Sequence, residues 1–200
     1  MTKHLHRYFI LNKPYNMVSQ FISSDKVNLL GDLDFDFPEG THAIGRLDSN
    51  SEGLLLLTTN KKVTRLLFLG TEKHNRTYLV QVNNILSDEN LKRLQQGVSI
   101  RIKENENYTT PACEVMLVEH PETMYPFQTE ISNKYGPHTW LLITLTEGKY
   151  HQVRKMMAAI HHRCKRLIRV SIEDIKLEGL APGAVREIDE VDFFRKLRIG

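Results

Sequence analysis

Three groups of residues have the types and spacing to do chemistry. The densest is Ala43-Ile-Gly-Arg-Leu-Asp-Ser-Asn-Ser-Glu-Gly-Leu-Leu-Leu-Leu-Thr-Thr-Asn60, where Gly45 and Gly53 bracket a polar turn and Asp48 directly follows Arg46-Leu47. A carboxylate so placed can serve a reaction, or it can accept backbone N–H bonds as turn and capping chemistry. The residues alone leave both readings open. The second group is cationic: the 25 residues from Gly148 to Ile172 hold seven Lys and Arg and no acid. The remaining 175 residues carry 20 basic and 24 acidic side chains, so a chain of net charge +3 is a mildly acidic body with one concentrated cationic segment. That distribution is the electrostatic footprint expected of a polyanion binder. The third group, His161-His162-x-Cys164, has metal-ligating residue types. Its histidines are adjacent rather than at i, i+4 and no second cluster matches it, so surface or polyanion-facing side chains are the default reading.

These residues need elements to hold them. Arg7 to Asn12 and Tyr15 to Phe21 read as strands separated by Lys13-Pro14, and Ser23 to Gly40 reads as a loop with at most a short helix around Val27 to Leu33. Gly53 to Leu57 is a continuous apolar run suited, with Thr58 and Thr59, to a strand buried on both faces. Lys61 to Leu69 suggests a helix stopped by Gly70. Arg76 to Val82 alternates as a strand with Tyr78, Val80 and Val82 on one side. Ser87 caps a helix through Gln96, with Asp88 and Glu89 favouring its N-terminal dipole and Gly97 ending it. Further strands are expected at Val98 to Ile102, Ala112 to Glu119, Thr139 to Thr146 and Arg166 to Ile172. Helices are expected at Tyr150 to Ile160 and Glu190 to Leu197. In the first of these, positions 150, 153, 156, 157 and 160 form the apolar face, which leaves His151, Arg154 and Lys155 off it. Pro121 to Pro137 is the least structured internal segment. Strands adjacent in sequence with interspersed helices predict an α/β (α+β) fold with a mixed, mostly antiparallel central sheet and flanking helices.

Bulk properties narrow the class. Two hundred residues with 40% apolar and 26% charged side chains make a globular chain able to bury a sizeable core, not a disordered one. Two cysteines, Cys113 and Cys164, outside any C-x-x-C, argue against a disulfide framework and for a reducing compartment. The N-terminal apolar run, Tyr8 to Leu11, is too short for a signal-peptide core, and no stretch approaches the ~18 residues of a membrane span. A cytoplasmic protein with no membrane partner is expected.

Four segments, in order, resemble one family. Gly45-Arg-Leu-Asp48 followed by Ser51-Glu-Gly-Leu-Leu-Leu-Leu-Thr58 is similar to the catalytic-aspartate motif of pseudouridine synthases, in the branch that modifies ribosomal RNA. Asn12-Lys-Pro14 resembles the family's N-terminal Lys-Pro motif, and Arg76-Thr-Tyr-Leu-Val80 the motif with the active-site tyrosine. Glu147-Gly-Lys-Tyr-His-Gln-Val-Arg-Lys-Met156, followed by Arg166-Leu-Ile-Arg169, resembles the third motif and the strand after it. The likeness runs from about Tyr8 to Gly183. Asn16 replaces the Gly often found two residues after Lys-Pro, and Asn60-Lys-Lys62 replaces the usual Asn-Asp-Gly turn. An insertion around Met124 to His138, and a start at the first catalytic-domain strand without a small N-terminal RNA-binding domain, resemble the shortest bacterial members of the branch.

The resemblance implies a single catalytic domain, 1–200, in two lobes of about 1–120 and 138–200, with an RNA-binding cleft. It also implies a reaction that breaks the C1′–N1 bond of a uridine and rejoins the base through C5. Asp48 is then the essential carboxylate facing C1′, as covalent nucleophile or as electrostatic partner. Tyr78 stacks on the base and takes the C5 proton, and Arg154 is the cationic partner of Asp48, a charge an arginine keeps near neutrality. Arg46 assists base flipping, Leu167 lines the pocket, and Lys13 belongs to the binding set. Lys149, His151, Lys155, Arg163 and Arg169 are implied phosphate contacts. No cofactor or metal is implied, and the expected partner is 23S ribosomal RNA or a ribosome-assembly intermediate, met by a monomer. Two other classes compete for the same residues: a non-catalytic RNA-binding module, which would tolerate loss of Asp48, Tyr78 or Arg154, and a hydrolytic N-glycosidase, which would need a second acid–base group. Among synthases, transfer RNA is the alternative substrate.

Overall fold

The computed structural model describes residues 6–69, 72–104, 106–125 and 136–199. In chain order the elements are β1 (Tyr8–Lys13), β2 (His42–Ile44), β3 (Glu52–Thr58), α1 (Val63–Leu69), β4 (Arg76–Asn83), α2 (Asp88–Gln96), β5 (Ser99–Lys103) and β6 (Glu106–Thr109). They continue with β7 (Glu114–Leu117), α3 (Pro121–Met124), β8 (His138–Leu145), α4 (Gln152–Ala159), β9 (Cys164–Ile172), β10 (Ile175–Lys176), β11 (Val185–Ile188) and α5 (Glu190–Leu197). The expected class, mixed α/β with a mostly antiparallel sheet, is the class observed.

The chain forms two compact units, Met1–His74 with Ile168–Gly200, and Asn75–Leu167. The expected lobes divided near Pro121 to Pro137. The observed units divide elsewhere because the C-terminal segment returns to the first strand: β11 pairs antiparallel with β1, Tyr8 opposite Ile188. Most of the expected insertion, 126–135, lies outside the described residues.

In the first unit β3 is central. It pairs antiparallel with β1 and β2, and parallel with β9 through Glu52 opposite Ile168 and Gly53 opposite Arg169. All seven residues of β3 are buried, as the unbroken Leu54–Leu57 run requires of a strand covered on both faces. α5 is capped by Asp189, whose carboxylate accepts from the Val191 N–H at 2.8 Å. Acids in its first turn and bases in its last complement the helix dipole. Its Phe193 packs on Tyr8 with ring centroids 4.6 Å apart.

Tyr15 to Phe21 is not a strand. No ladder forms there: an isolated bridge, Met17 to Asn28, is accompanied by single backbone bonds from the Val18 N–H to the Asn28 carbonyl and from the Leu30 N–H to the Gln20 carbonyl. Asn16 at φ 59° turns the chain, and the Lys13 ammonium takes the Pro14 and Met17 carbonyls, so those acceptors are spent before a ladder could use them.

In the second unit β8 pairs antiparallel with β4 and β7, and β5 with β6 forms a separate hairpin. Val80, Val82, Leu141 and Ile143 from the strands meet Val153, Met156, Met157 and Ile160 from the α4 region in one apolar cluster. Ser87 caps α2, accepting from the Asn90 N–H at 3.2 Å. α4 starts two residues later than its apolar periodicity predicts. His151 stands at φ 53°, in the left-handed region, and that kink turns Tyr150 off the helix and into solvent, 72% exposed.

Candidate active site

In the first unit the loop bearing Asp48 is held on both sides. Ser19 Oγ donates to the Leu47 carbonyl at 2.9 Å and accepts from the Leu47 N–H at 3.0 Å. Three residues on, the Ser51 N–H closes a turn on the Asp48 carbonyl at 3.0 Å. The Asp48 backbone therefore sits between two anchors, and its half-buried side chain leaves a preset position. Arg46, two residues earlier, is exposed.

The chain just before Ser19 is held by Lys13. That lysine is fully buried, and its ammonium donates to the carbonyls of Met17 at 2.7 Å and Pro14 at 3.0 Å. Burial holds its pKa down to about 8, against the pull of the Glu52 and Asp48 carboxylates, and the Arg169 guanidinium pushes it the same way as burial. A lysine in this state still carries most of its charge at neutral pH.

Arg169 is likewise interior, 4% exposed, and its Nε donates to the Leu54 carbonyl at 2.7 Å. The approach that allows this contact depends on Gly53. A Cβ there would stand 2.3 Å from the Arg169 carbonyl oxygen, and Gly53 has φ +97° besides. Lys13 and Arg169, expected to meet RNA, are thus turned inward onto backbone, because their ammonium and guanidinium groups satisfy carbonyls that the loop and the parallel strand pair leave open.

Glu52 was not singled out by the sequence reading, which took Ser49 to Glu52 as turn chemistry. It is buried at the head of β3 and acts electrostatically on Lys13. Its signal was there to find: a charge opening a strand with every position buried requires an internal counter-charge.

In the second unit Tyr78 lies on β4 opposite Ile143 and packs half-buried against the apolar cluster that contains Leu167. Arg154 lies half-buried on α4 and donates through Nη1 to Cys164 Sγ at 3.7 Å. Burial pushes the Cys164 thiol up to about 11, against the opposing pull of Arg154, so it stays protonated and offers no thiolate nucleophile.

The turn before α4 is braced by residues that the sequence reading did not single out as functional. Glu147 accepts from Tyr108 Oη and from Gln152 Nε2, both at 2.6 Å, and Gln152 Oε1 accepts from the Lys149 N–H at 2.8 Å. Lys149 is exposed, with its ammonium 4.9 Å from the Tyr108 ring centroid. Lys155 reaches over the Tyr150 ring at 5.3 Å, and His151 stacks on that ring at 3.8 Å. Of the seven cations in the basic segment, Arg166 and Arg169 are buried and Arg154 and Lys155 are half-buried, so the exposed cations are Lys149, Arg163 and Lys165.

His162 is buried with Nδ1 2.7 Å from the Asn83 carbonyl oxygen, which places it in the packing of the turn. Among the described residues no three His, Cys, Asp or Glu side chains converge as a metal site. No helix among them is long and apolar enough to cross a membrane.

A sequence profile described as RNA pseudouridylate synthase matches residues 7–159. A protein of Xanthomonas axonopodis pv. citri named ribosomal large subunit pseudouridine synthase E is 37% identical over 174 residues, covering 86% of this chain and 89% of that one. A protein of Yersinia pestis named ribosomal small subunit pseudouridine synthase A is 32% identical over 183 residues, 91% of this chain and 69% of that one. Among solved structures, a crystal structure of a pseudouridylate synthase superposes with a TM-score of 0.76 at 25% identity, covering 96% of this chain and 74% of that one.

Proposed function

Since the chain belongs to the RNA pseudouridylate synthase family and is therefore an isomerase, we propose that it converts a specific uridine of large-subunit, 23S, ribosomal RNA to pseudouridine. Large-subunit RNA is favoured because the relatives named for it are more similar: 37% identity against 32% for the small-subunit enzyme.

The observation that carries the mechanism is the loop at Asp48, clamped at Leu47 by Ser19 and closed at Ser51. A carboxylate that must act at a ribose C1′ gains from a backbone fixed before substrate arrives. The C1′–N1 bond breaks with Asp48 facing C1′. The freed base turns and bonds to C1′ through C5, and the C5 proton leaves while N1 gains one, so the sum is an isomerisation. Tyr78 stacks on the base and accepts the C5 proton. Arg154 supplies the fixed positive charge that favours ionised Asp48.

A uridine held in a stack cannot reach such residues, so the nucleotide is flipped out, with Arg46 helping to offset an unstacking cost of a few kcal/mol. Leu167 belongs to the apolar cluster on which Tyr78 packs, so its contribution to the base pocket runs through that packing.

Asp48→Asn removes the charge and keeps the shape. Incubated with in vitro transcribed 23S RNA, the variant should form no detectable pseudouridine while its RNA affinity stays within about twofold of wild type, a residue acting on the transition state rather than on docking. Product from Asp48→Asn would overturn the assignment. Product from wild type on transfer RNA but not on 23S RNA would move the substrate.

A further inference from the structure

The basic turn carries an aromatic ring that the reaction above does not use. Tyr150 is the more exposed of the two largely solvent-facing aromatic rings among the described residues, at 72% against 60% for Tyr15. A tyrosine left this open forgoes apolar burial, and its surroundings are not those of an incidental surface ring. The His151 ring lies against it at 3.8 Å and 19°, a true stack between sequence neighbours. His151 reaches that pose through a left-handed backbone, φ 53° and ψ 30°, which is uncommon for a residue other than glycine. The Lys155 ammonium stands 5.3 Å from the Tyr150 centroid.

On the N-terminal side, Lys149 has its backbone N–H tied to Gln152 and its ammonium over Tyr108. The turn is thereby braced before any ligand arrives. No acidic residue falls between Gly148 and Ile172, so nothing in that segment repels an anion.

We infer that Tyr150, backed by His151, is a stacking platform for one unpaired base of the RNA substrate, with Lys149 and Lys155 meeting the flanking phosphates. An exposed, pre-oriented aromatic ring between cations is how single-stranded RNA is held without regard to base identity: the ring takes the π-face of a base and the cations take the backbone. The platform binds and does not react, and it rests on the reading of this chain as an RNA-modifying enzyme. A partner with strongly acidic side chains but no bases would satisfy the lysines and leave the ring unexplained, so the ring selects nucleic acid.

The test uses the full chain and two probes. One is a single-stranded RNA oligonucleotide bearing one 2-aminopurine, whose fluorescence falls on stacking. The other is in vitro transcribed 23S RNA, for turnover. Tyr150→Ala should raise Kd for the oligonucleotide and KM for the transcript by about tenfold, at the lower end of what a base–aromatic stack contributes. It should also abolish the 2-aminopurine quench while leaving kcat and Tm unchanged. Tyr150→Phe keeps the π-face and should behave as wild type, and the salt dependence of Kd should be the same in all three proteins, because stacking releases no counterions.

Unchanged Kd and quench in Tyr150→Ala would overturn the platform while leaving the proposed activity standing. So would a fall in kcat at constant Kd and KM, which would place Tyr150 on the reaction path. Conversely, if wild type made no pseudouridine in either RNA yet Tyr150→Ala still lost the quench and tenfold affinity, the platform would hold and the proposed function would fail.

Discussion

Lys13 and Arg169 in the first unit and Lys149 and Lys155 in the second are the same kinds of side chain in opposite circumstances. The first pair is interior, each donating to backbone carbonyls at 2.7 Å, and Lys13 shares its surroundings with Glu52 and Asp48. The second pair flanks an open aromatic ring, Lys149 exposed and Lys155 half-buried with its ammonium over that ring. Buried cations are screened little by salt and cannot be reorganised by a ligand, so they fix geometry. Exposed cations are already solvated, lose little by exchanging water for phosphate, and respond steeply to salt. Under the proposed function, the first region holds the Asp48 carboxylate still and the second meets the RNA.

The contrast can be broken most severely at Gly53. Gly53→Ala puts a Cβ into the Arg169 backbone at 2.3 Å and forces an alanine to φ +97°. Backbone strain and overpacking together should cost on the order of 3–5 kcal/mol. Urea unfolding should show a lowered midpoint, with activity lost as the Arg169–Leu54 contact goes.

Lys13→Met is next. Removing one member of a buried charge group leaves Glu52 without a neighbouring ammonium and frees the Met17 carbonyl, at a cost of about 3 kcal/mol. The same residue has a pH signature. Its folded pKa of about 8 lies below the ordinary lysine value of 10.5, so between those values the unfolded chain binds more protons than the folded one. Stability contributed at this position therefore rises with pH from about 8 to 10.5. Wild type should gain stability relative to Lys13→Met across that window, and chemical denaturation at several pH values reads the difference directly.

The smallest effect sharpens the comparison from the other side. Lys149→Ala should weaken RNA binding only a few-fold at moderate salt and leave Tm unchanged. It should also flatten the slope of log Kd against log salt by about 0.7, one phosphate contact to a single strand. Lys13→Met, where it remains folded, should leave that slope as it was.

Much of this arrangement is legible in the residues. The Leu54–Leu57 run marks the central strand, because among strands only one covered on both faces can bury four consecutive leucines. Ser87 and Gly97 bracket α2, and Glu190 to Leu197 matches α5 as expected. The motif order places Asp48, Tyr78 and Arg154 on a turn, a strand and a helix, and each is found on that kind of element. Three features were misjudged. Tyr15 to Phe21 alternates like a strand, but its Met17 carbonyl goes to Lys13 and its Asn16 carbonyl to the Asn28 side chain. Tyr150 has the helical spacing of a core residue, but the left-handed His151 expels it. β11 is too short and too charged, Val-Arg-Glu-Ile, to stand out before β1 offers it an edge.

What the sequence determined by itself is whatever depends on near neighbours: element type, from periodicity, caps and breakers within a few residues, and the polar turn that carries Asp48 between Gly45 and Gly53. What only the tertiary structure decided is which charges face inward. Burying an ammonium or a guanidinium is tolerable only where carbonyls and counter-charges from distant segments converge on it. That convergence, Met17 on Lys13 and Leu54 on Arg169, exists only once the strands have paired.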